Sequence, residues 1–471
     1  MLSPRLFDHS RIGPIGAVKT RLAAMWVSPL CAVAIAAHAD TITVTNTSDS
    51  GPGSLRQALV DANNGDMINF DAALKGQTVT LTTAELVINK NITISGLGAN
   101  LLAVSRAQNA PAFRIFHLMP ALTVVIQGLA ISNGVAPQFG FGGGILNERS
   151  TLSVINCAVS GNSTDSTGGG ISDGFLAGST LRVEDSTLSG NYAGDYGGGI
   201  ENSGTLAVNS STLSGNTGEF TGGAILNSGS LTVSNSTLSG NATQLHGGGI
   251  WNSGQCAIRH STVTGNRGMN GGAINNRLGT LEIESTILKR GESGANILND
   301  SGTVTSDGYN LSSDDGSGYL IGPGDQINTD ALLGPLQDNG GPTFTHALLP
   351  GSPAIDTGDP NFTPPPFFDQ RGPGYPRVVN GRIDKGSFEV RSGTTPTPTA
   401  IPTSTPTATR TPTSTAPATV TPTPTASATV TPTPTATTPT STPTPTSTPR
   451  PTATPRSSPA PRQRPTPAPR P

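Results

Sequence analysis

The stretch Ser186–Asn216 reads STLSGNYAGDYGGGIENSGTLAVNSSTLSGN, and it begins and ends with the same six residues. The phrase STLSGN returns at Ser236–Asn241, and each copy is followed within a few residues by Gly-Gly-(Gly/Ala)-Ile. Copies of Gly-Gly-x-Ile begin at Gly142, Gly168, Gly197, Gly222, Gly247 and Gly271, at intervals of 26, 29, 25, 25 and 24 residues. A period between roughly 20 and 50 residues indicates a solenoid.

Within each repeat the apolar residues alternate with polar ones and follow no helical period. A Leu-x-Val pair or its equivalent follows each Gly-Gly-x-Ile, and one further apolar residue precedes most copies of Ser-Gly-Asn. Alternation of this kind predicts half-buried strands, and the Gly, Ser and Asn between them predict turns. The sequence therefore predicts an all-β fold, a parallel β-helix with about 25 residues and three strands per coil, in which successive coils lie ~4.8 Å apart.

Asparagines recur at two positions of the repeat, and each set is expected to stack at one corner of the helix. The first set is Asn147, Asn202, Asn227, Asn252 and Asn276, with Asp173 in the second coil, and the second set is Asn162, Asn191, Asn216, Asn241 and Asn266. Asparagine tolerates the left-handed backbone of a sharp corner, and stacked amides can bond from coil to coil. These residues are therefore predicted to be structural. Cys256 is predicted to replace a core leucine and not to pair with Cys157.

The two ends of the chain differ in composition from the repeats. Residues 1–39 carry four basic residues, an apolar run and an Ala-His-Ala exit, which predict a signal peptide and a secreted or cell-surface protein. Residues 40–110 are predicted to form an N-terminal cap and the first coils, with a short helix that begins at a Ser54–Gln57 capping box. Residues 393–471, rich in Pro and Thr, predict a disordered linker or stalk.

Charge and hydropathy exclude two classes of partner. The chain carries −3, the presequence +3 and the Pro/Thr tail +6, which leaves the body between them at −12. An acidic body argues against nucleic acid. After the presequence no apolar run reaches the roughly 18 residues of a membrane span, so the mature chain is expected to have no transmembrane segment.

Residues 111–330, which hold the repeats, resemble secreted right-handed parallel β-helix proteins of the pectin-lyase-like fold. They are similar to the repeats of polymorphic outer-membrane proteins, with GGAI at 222–225 and 271–274 but Leu in LSGN where that family has Phe. Residues 331–392, with LLGPLQDNGGPTFTHALLPGSPAIDTGDP and DQRGPGYPRVVNGRIDKGSFEV, resemble the choice-of-anchor Q domain. That resemblance implies a region that precedes a linker and a device for display at the cell surface.

Enzymes of the pectin-lyase-like fold need clustered carboxylates with an arginine or lysine. The outward columns predicted for the Leu-x-Val strands bring no two carboxylates and a base together, and only a surface ion pair of Arg259 with Glu284 is expected. The histidines lack metal-ligand spacing. No catalytic residue, metal or cofactor is therefore predicted. Four aspartates of the anchor-like region are expected to bond backbone turns, with a cation site as the alternative: Asp356, Asp359, Asp369 and Asp384.

The loops between Ser-Gly-Asn and Gly-Gly-x-Ile differ from coil to coil. Stacking is expected to place six of their residues along one rim: Tyr192, Asp195, Tyr196, Glu219, Phe220 and His246. Exposed rings beside carboxylates suit sugars, which predicts a binding groove; alternatively, the loops simply diverge and the rings pack over the corner.

The sequence favours a monomeric, non-enzymatic adhesion or carbohydrate-binding module on a Pro/Thr stalk, with a polysaccharide or a cell-envelope surface as partner. The alternative is a polysaccharide lyase or glycoside hydrolase of the same fold.

Overall fold

Three sheets of parallel strands wind around one apolar core in the computed structural model of the protein, which describes residues 39–174 and 178–391. The predicted signal peptide, apart from its last residue, and the predicted Pro/Thr stalk lie outside the described residues.

Along the chain the strands follow one another in repeated sets of three. The first coils contain β1 (Thr41–Val44), helix α1 (Leu55–Asp61), β2 (Met67–Phe70), a 3-10 helix (Ala72–Leu74), β3 (Gln77–Leu81), β4 (Leu86–Ile88), β5 (Ile92–Ser95), β6 (Leu102–Arg106), β7 (Phe116–Leu118), β8 (Thr123–Gln127) and β9 (Ala130–Ser132). The central coils contain β10 (Ile145–Asn147), β11 (Thr151–Ile155), β12 (Ala158–Ser160), β13 (Ser163–Thr164), β14 (Ile171–Ser172), β15 (Thr180–Glu184), β16 (Thr187–Ser189), β17 (Tyr192–Ala193), β18 (Ile200–Asn202), β19 (Thr205–Asn209), β20 (Thr212–Ser214), β21 (Thr217–Gly218), β22 (Ile225–Asn227), β23 (Ser230–Ser234), β24 (Thr237–Ser239), β25 (Ile250–Asn252), β26 (Gln255–Arg259), β27 (Thr262–Thr264), β28 (Ile274–Arg277), β29 (Thr280–Glu284) and β30 (Ile287–Lys289). The last part contains β31 (Ile297–Asp300), β32 (Thr303–Gly308), β33 (Leu311–Ser312), a 3-10 helix (Gly316–Gly318), β34 (Leu333–Gln337) and β35 (Thr345–Leu348).

Each coil contributes one strand to each of three sheets. Sheet A joins eleven strands in the order β1, β2, β5, β8, β11, β15, β19, β23, β26, β29, β32. Sheet B joins ten, β3, β6, β9, β12, β16, β20, β24, β27, β30, β33, and sheet C joins nine, β4, β7, β10, β14, β18, β22, β25, β28, β31. A short sheet of β13, β17 and β21 lies in the loops. The predicted all-β solenoid, with three strands and about 25 residues per coil, is confirmed.

Identical residues stack in the core because the register advances by one whole repeat from coil to coil. Ile200 pairs with Ile225 in sheet C, and Leu206 pairs with Leu231 in sheet A. Cys256 lies directly after Leu231 in the same column and is buried, as expected for a residue that replaces a core leucine. Both Cys157 and Cys256 are free thiols.

Helix α1 covers the first end of the core. Leu55, Ala58 and Leu59 are its buried residues. The Ser54 hydroxyl accepts a hydrogen bond from the Gln57 backbone N–H at 3.2 Å, as a helix cap should. The reciprocal bond, from the Ser54 backbone N–H to the Gln57 side chain, does not form, because this N–H donates to Gly51 O at 3.2 Å; the Gln57 amide donates to Asp61 at 2.7 Å. Only half of the predicted capping box forms.

The second set of asparagines forms a continuous chain of buried amides between sheet B and the loops. The Asn191 amide is a typical member. It donates from Nδ2 to Asn216 Oδ1 and to Val159 O, both at 2.9 Å. Its Oδ1 accepts from the Asn162 backbone N–H at 3.1 Å and from Asn162 Nδ2 at 3.0 Å. Each amide therefore ties its own coil to both neighbours.

The first set of asparagines lies at the corner between sheets C and A. Asn202 Nδ2 donates to Asn227 Oδ1 at 2.6 Å, and Asn276 extends the row by one member with a bond to Asn299 at 2.8 Å.

Of the two reasons proposed for asparagine at these corners, amide bonds from coil to coil are confirmed, whereas tolerance of the left-handed backbone is wrong. None of the ten asparagines has a positive φ. In the second set the glycine before each one takes the left-handed backbone, for example Gly190 at φ 60°, because it has no Cβ to clash. Asparagine is needed for its amide bonds.

Residues 331–391 pack against the outer surface of sheet B within the same compact unit as the coils. Gln370 inserts its amide between two coils, donating from Nε2 to Thr212 Oγ1 at 2.8 Å and accepting from Thr237 Oγ1 at 2.6 Å. As a result Thr212, Thr237 and Thr262 are at most 1% exposed, although their side chains point away from the core of the β-helix. The outer surface of sheet B is therefore closed to large ligands over the coils of β20, β24 and β27.

The four aspartates of this region bond mainly to its turns. Asp359 and Asp369 each accept from the backbone N–H two residues further on, at 2.9 Å. Asp384 accepts from two backbone N–H groups, including that of Asp356 at 2.7 Å. The Asp356 carboxylate accepts from a side-chain amide at 3.3 Å. Within residues 39–174 and 178–391 no three His, Cys, Asp or Glu side chains are arranged to hold a metal ion.

Substitution of a middle asparagine tests the amide row. Asn216→Ala removes two donated and two accepted bonds at a fully buried corner. We expect the free energy of unfolding, measured by urea denaturation, to fall by about 3 kcal/mol. Asn209→Ala, on the outer surface of sheet A, is the matched control and should change it by less than about 0.5 kcal/mol. Equal effects of the two substitutions would contradict the structural role of the row.

Candidate functional site

A cleft of about 560 Å³ runs over the outer surface of sheet C. Most of its lining residues come from three positions of the repeat x-Gly-Gly-x-Ile-x-Asn-x, and two coils supply all three. These are the residue before Gly-Gly, the residue between Ile and Asn, and the residue after Asn. In the coil of the quoted stretch they are Tyr196, Glu201 and Ser203, and all three line the cleft.

The floor of the cleft is the outward column of sheet C. Strand register places Glu201, Leu226, Trp251 and Asn275 one after another on successive coils. The isoleucine before each of them points inward and is fully buried, so alternation turns these side chains outward. An acid, two apolar side chains and an amide thus follow each other along the axis.

One wall of the cleft is built by the residue before each Gly-Gly. Backbone bridges pair Tyr196 with Thr221, and Thr221 with His246. The two glycines that follow hold this wall close to the sheet. Gly197 has φ 66°, and a Cβ on Gly198 would lie 2.3 Å from the Thr217 carbonyl carbon. Larger residues are therefore excluded at the base of the wall.

The opposite wall follows the corner asparagines and is mostly hydroxylic. Ser203 and Ser228 line the cleft, and Arg277 closes the row two coils further on. The Arg277 guanidinium lies 3.6 Å from the Asp300 carboxylate. Beyond Arg277 the cleft continues over the amides of the next coils, as a second cavity of about 490 Å³ that also touches His246.

Glu201 is the unusual group of the cleft floor. Its side chain is almost fully buried, and its two oxygens accept hydrogen bonds from Ser172 at 2.7 Å and Ser203 at 2.6 Å. Burial raises the pKa of Glu201, and the two hydroxyls oppose this effect only in part. A carboxyl group with a raised pKa in a cleft is suited to proton transfer as well as to hydrogen bonding.

A second charged group lies on the same column, near the first coils. His117 Nδ1 lies 2.9 Å from Glu85 Oε1, and its Nε2 lies 3.1 Å from Glu148 Oε1. Arg114 holds the other Glu85 oxygen at 3.0 Å. The hydrogen bond with Glu85 raises the pKa of His117, against the effect of burial, and Glu148 raises it further. An imidazole clamped by two carboxylates links three consecutive coils.

The six rim residues predicted from the sequence do not form one rim. Asp195, Tyr196 and His246 line the cleft over sheet C. Tyr192 and Glu219 line a different depression of about 490 Å³, on the side of the loops that faces sheet B, and the Tyr192 hydroxyl donates to Glu219 at 2.7 Å. The two groups separate because Tyr192 belongs to the short strand before the loop turns, whereas Tyr196 comes after it.

Phe220 lies between these two groups of residues. Its ring is 40% exposed and tilts against Tyr196, with ring centroids 6.2 Å apart. It borders neither depression.

Sequence reasoning missed Glu201 and Trp251. The signal was present, because both stand between an inward isoleucine and a corner asparagine and must therefore point outward. Neither residue belongs to the outward columns of the Leu-x-Val strands.

The expectation that those columns gather no carboxylate cluster is also wrong. Arg259 lies 3.0 Å from Glu282, 3.1 Å from Glu284 and 3.7 Å from Asp307. Side chains of different columns reach each other diagonally across neighbouring coils, which single columns do not reveal. The expected pair of Arg259 with Glu284 is present within this larger group.

No protein-family model and no curated protein matches the sequence. Three solved structures similar to the chain are lyases, each with 14% sequence identity. Pectate lyase Pel9A covers 74% of this chain and 96% of its own, with a TM-score of 0.44. The PL6 family alginate lyase AlyGC covers 65% and 55%, with a TM-score of 0.23. A PL6 alginate lyase in complex with a trisaccharide covers 67% and 92%, with a TM-score of 0.26.

Similarity this low does not bear on the site or the function of the chain. The resemblance of the repeats to polymorphic outer-membrane proteins and of residues 331–392 to the choice-of-anchor Q domain stays a prediction. Among the described residues no helix is both long and apolar enough to span a membrane.

The clamped imidazole gives a stability that depends on pH. Folding raises the pKa of His117 above its unfolded value of 6.5. The contribution of His117 to the free energy of unfolding is therefore complete below pH 6.5 and is lost as the pH rises through the pKa of the folded state. The free energy of unfolding, followed by urea denaturation between about pH 5 and 9, should therefore fall less with rising pH in His117→Gln than in the wild type. Glu148→Gln, which removes one of the two carboxylates, should give an intermediate slope. Identical slopes in all three proteins would contradict this assignment.

Proposed function

We propose that the protein is a secreted or cell-surface adhesion module that binds polysaccharide in the cleft over sheet C. The observation that carries the proposal is the combination of Tyr196 and Trp251 with hydroxyl and carboxyl groups in one open cleft. Aromatic faces stack on the C–H faces of sugars, and the polar groups around them bind the hydroxyls.

The repeat supports a polymeric ligand over a small molecule. Three positions per coil recur along the axis, so the cleft extends from coil to coil in steps of ~4.8 Å. It continues past Arg277 into the second cavity, which shares His246 with the first. A chain of sugars laid along the axis meets one coil after another.

Display at a surface fits the same proposal. Residues 331–391 close the outer surface of sheet B over the coils of β20, β24 and β27, whereas sheet C is left open for a ligand. The predicted signal peptide would export the chain, and the predicted Pro/Thr stalk would hold the β-helix away from the cell.

Polysaccharide cleavage is a second candidate function, and Glu201 favours it. A buried carboxyl group with a raised pKa lies in the same cleft as Asp195, His246 and Arg277. These are the types of group that protonate or deprotonate a sugar in lyases and hydrolases. Against cleavage, both Glu201 oxygens already accept hydrogen bonds from serine hydroxyls. Polysaccharide binding is therefore proposed ahead of cleavage.

Removal of the rings from the cleft tests polysaccharide binding. Trp251→Ala and Tyr196→Ala should each weaken retention of the full chain on immobilised polysaccharide by about tenfold, equivalent to about 1.4 kcal/mol. Tyr192→Ala is the matched control, because Tyr192 is equally exposed, at 42% against 40% for Tyr196, but lies outside the cleft. Equal retention of all variants and the wild type would overturn the proposal.

An assay of reducing ends and unsaturated products over a panel of polysaccharides decides between the two candidates. If the protein is an enzyme, the wild type releases products and Glu201→Gln, which keeps the size of the side chain, loses at least about 10²-fold of the activity. The expected result for an adhesion module is no product from either protein. Binding by Glu201→Gln serves as the control for folding.

A further inference from the structure

The ring-bearing wall of the cleft has a period of two coils. The residues before Gly-Gly on six successive coils are Phe141, Thr167, Tyr196, Thr221, His246 and Asn270. Bridges between backbones confirm that Thr167, Tyr196, Thr221 and His246 follow each other coil by coil. A ring therefore occurs on every second coil, roughly 9.6 Å from the next, which is twice the strand spacing. Small polar side chains fill the coils between.

We propose that the cleft binds an uncharged glycan in the extended, two-fold ribbon conformation, with the ribbon along the axis of the β-helix. This inference rests on the proposed polysaccharide binding and names the class of ligand. In a chain of equatorially linked pyranoses each sugar is turned over relative to the one before it. The same face of the sugar then recurs at every second residue, in step with the rings.

The length of the sugar step supports the match. One pyranose of an extended, equatorially linked chain advances by nearly the same distance as one coil, ~4.8 Å. Tyr196 and His246 would then contact equivalent faces of two sugars that are separated by one turned-over sugar at Thr221. A glycan with a three-fold screw presents equivalent faces at every third residue and falls out of step with this wall.

The charge of the cleft favours an uncharged glycan. Asp195 and Glu201 contribute carboxyl groups to the cleft, and the guanidinium of Arg277 already faces Asp300 at 3.6 Å. The body of the protein as a whole, these residues included, carries −12. A polyuronate would bring one more carboxylate at each step into this field, at a cost in repulsion.

An unpartnered amide oxygen on the cleft floor points to a hydroxyl ligand. Asn275 is 2% exposed, and its Oδ1 has no hydrogen-bond partner within the described residues. It lines the continuation of the cleft beyond Trp251. A buried acceptor without a donor is unfavourable, and a sugar hydroxyl would supply the missing hydrogen bond.

Titration calorimetry of the full chain with defined hexasaccharides tests the inference. Cellohexaose and mannohexaose are uncharged two-fold ribbons, xylohexaose favours a three-fold screw, and oligomannuronate is a charged ribbon. We expect the first two to bind at least about tenfold more tightly than the others. Tighter binding of xylohexaose or of oligomannuronate would overturn the inference and leave polysaccharide binding intact. Absence of binding to every glycan would overturn the proposed function itself.

A ring transfer separates the period of the wall from its composition. The double variant Tyr196→Thr with Thr221→Tyr keeps the number of rings but moves one of them by a single coil. Cellohexaose affinity should fall about tenfold while the urea midpoint stays that of the wild type. An unchanged affinity in this variant would overturn the role of the two-coil period. The single variant Thr221→Ser, which leaves the rings in place, is the control and should bind as the wild type does.

Discussion

Each strand inside the stack of coils must bond to the strand one coil above it and the strand one coil below it, ~4.8 Å away on each side. Because of that constraint, the conformation of each coil must match the conformation of its neighbours. The inward residue of one coil lies on the inward residue of the next, as Ile200 lies on Ile225. Each corner must repeat the backbone of the corner below. Buried polar groups are bonded from coil to coil in the same way, since each amide from Asn162 to Asn266 donates and accepts hydrogen bonds along the axis.

Repetition of the interior also fixes where function can reside. Inward positions and corners are committed to stacking, so variation is confined to outward side chains and to the loops. Of the three outer surfaces, that of sheet B is covered by residues 331–391 over the coils of β20, β24 and β27. The surface of sheet A carries the guanidinium of Arg259, surrounded by three carboxylates. The surface of sheet C combines a concave shape with rings and carboxyl groups, because the loop before each Gly-Gly rises beside it.

The covering region depends on buried charges that are unusual for a surface layer. Arg371 forms a salt bridge with Asp369 and lies over the rings of Tyr375 and Phe388. Burial raises the pKa of the nearby Glu389 to about 9, although Arg377 opposes this effect. Such groups are costly to bury unless each finds its partner, which favours one arrangement of the region over alternatives. The covering of sheet B is thus specified in detail.

The sequence by itself determined the solenoid, its coil length, the core columns and the two rows of asparagine, because a short repeat with strict alternation permits few other structures. It did not determine which outward residues share a surface. Tyr192 and Tyr196 are four residues apart and yet lie on opposite sides of a loop, whereas Glu201 and Trp251 are fifty apart and lie two coils apart on one floor. Loop direction and the packing of residues 331–391 depend on contacts between distant parts of the chain. Only the tertiary structure decided those, and with them which surface remains open for a ligand.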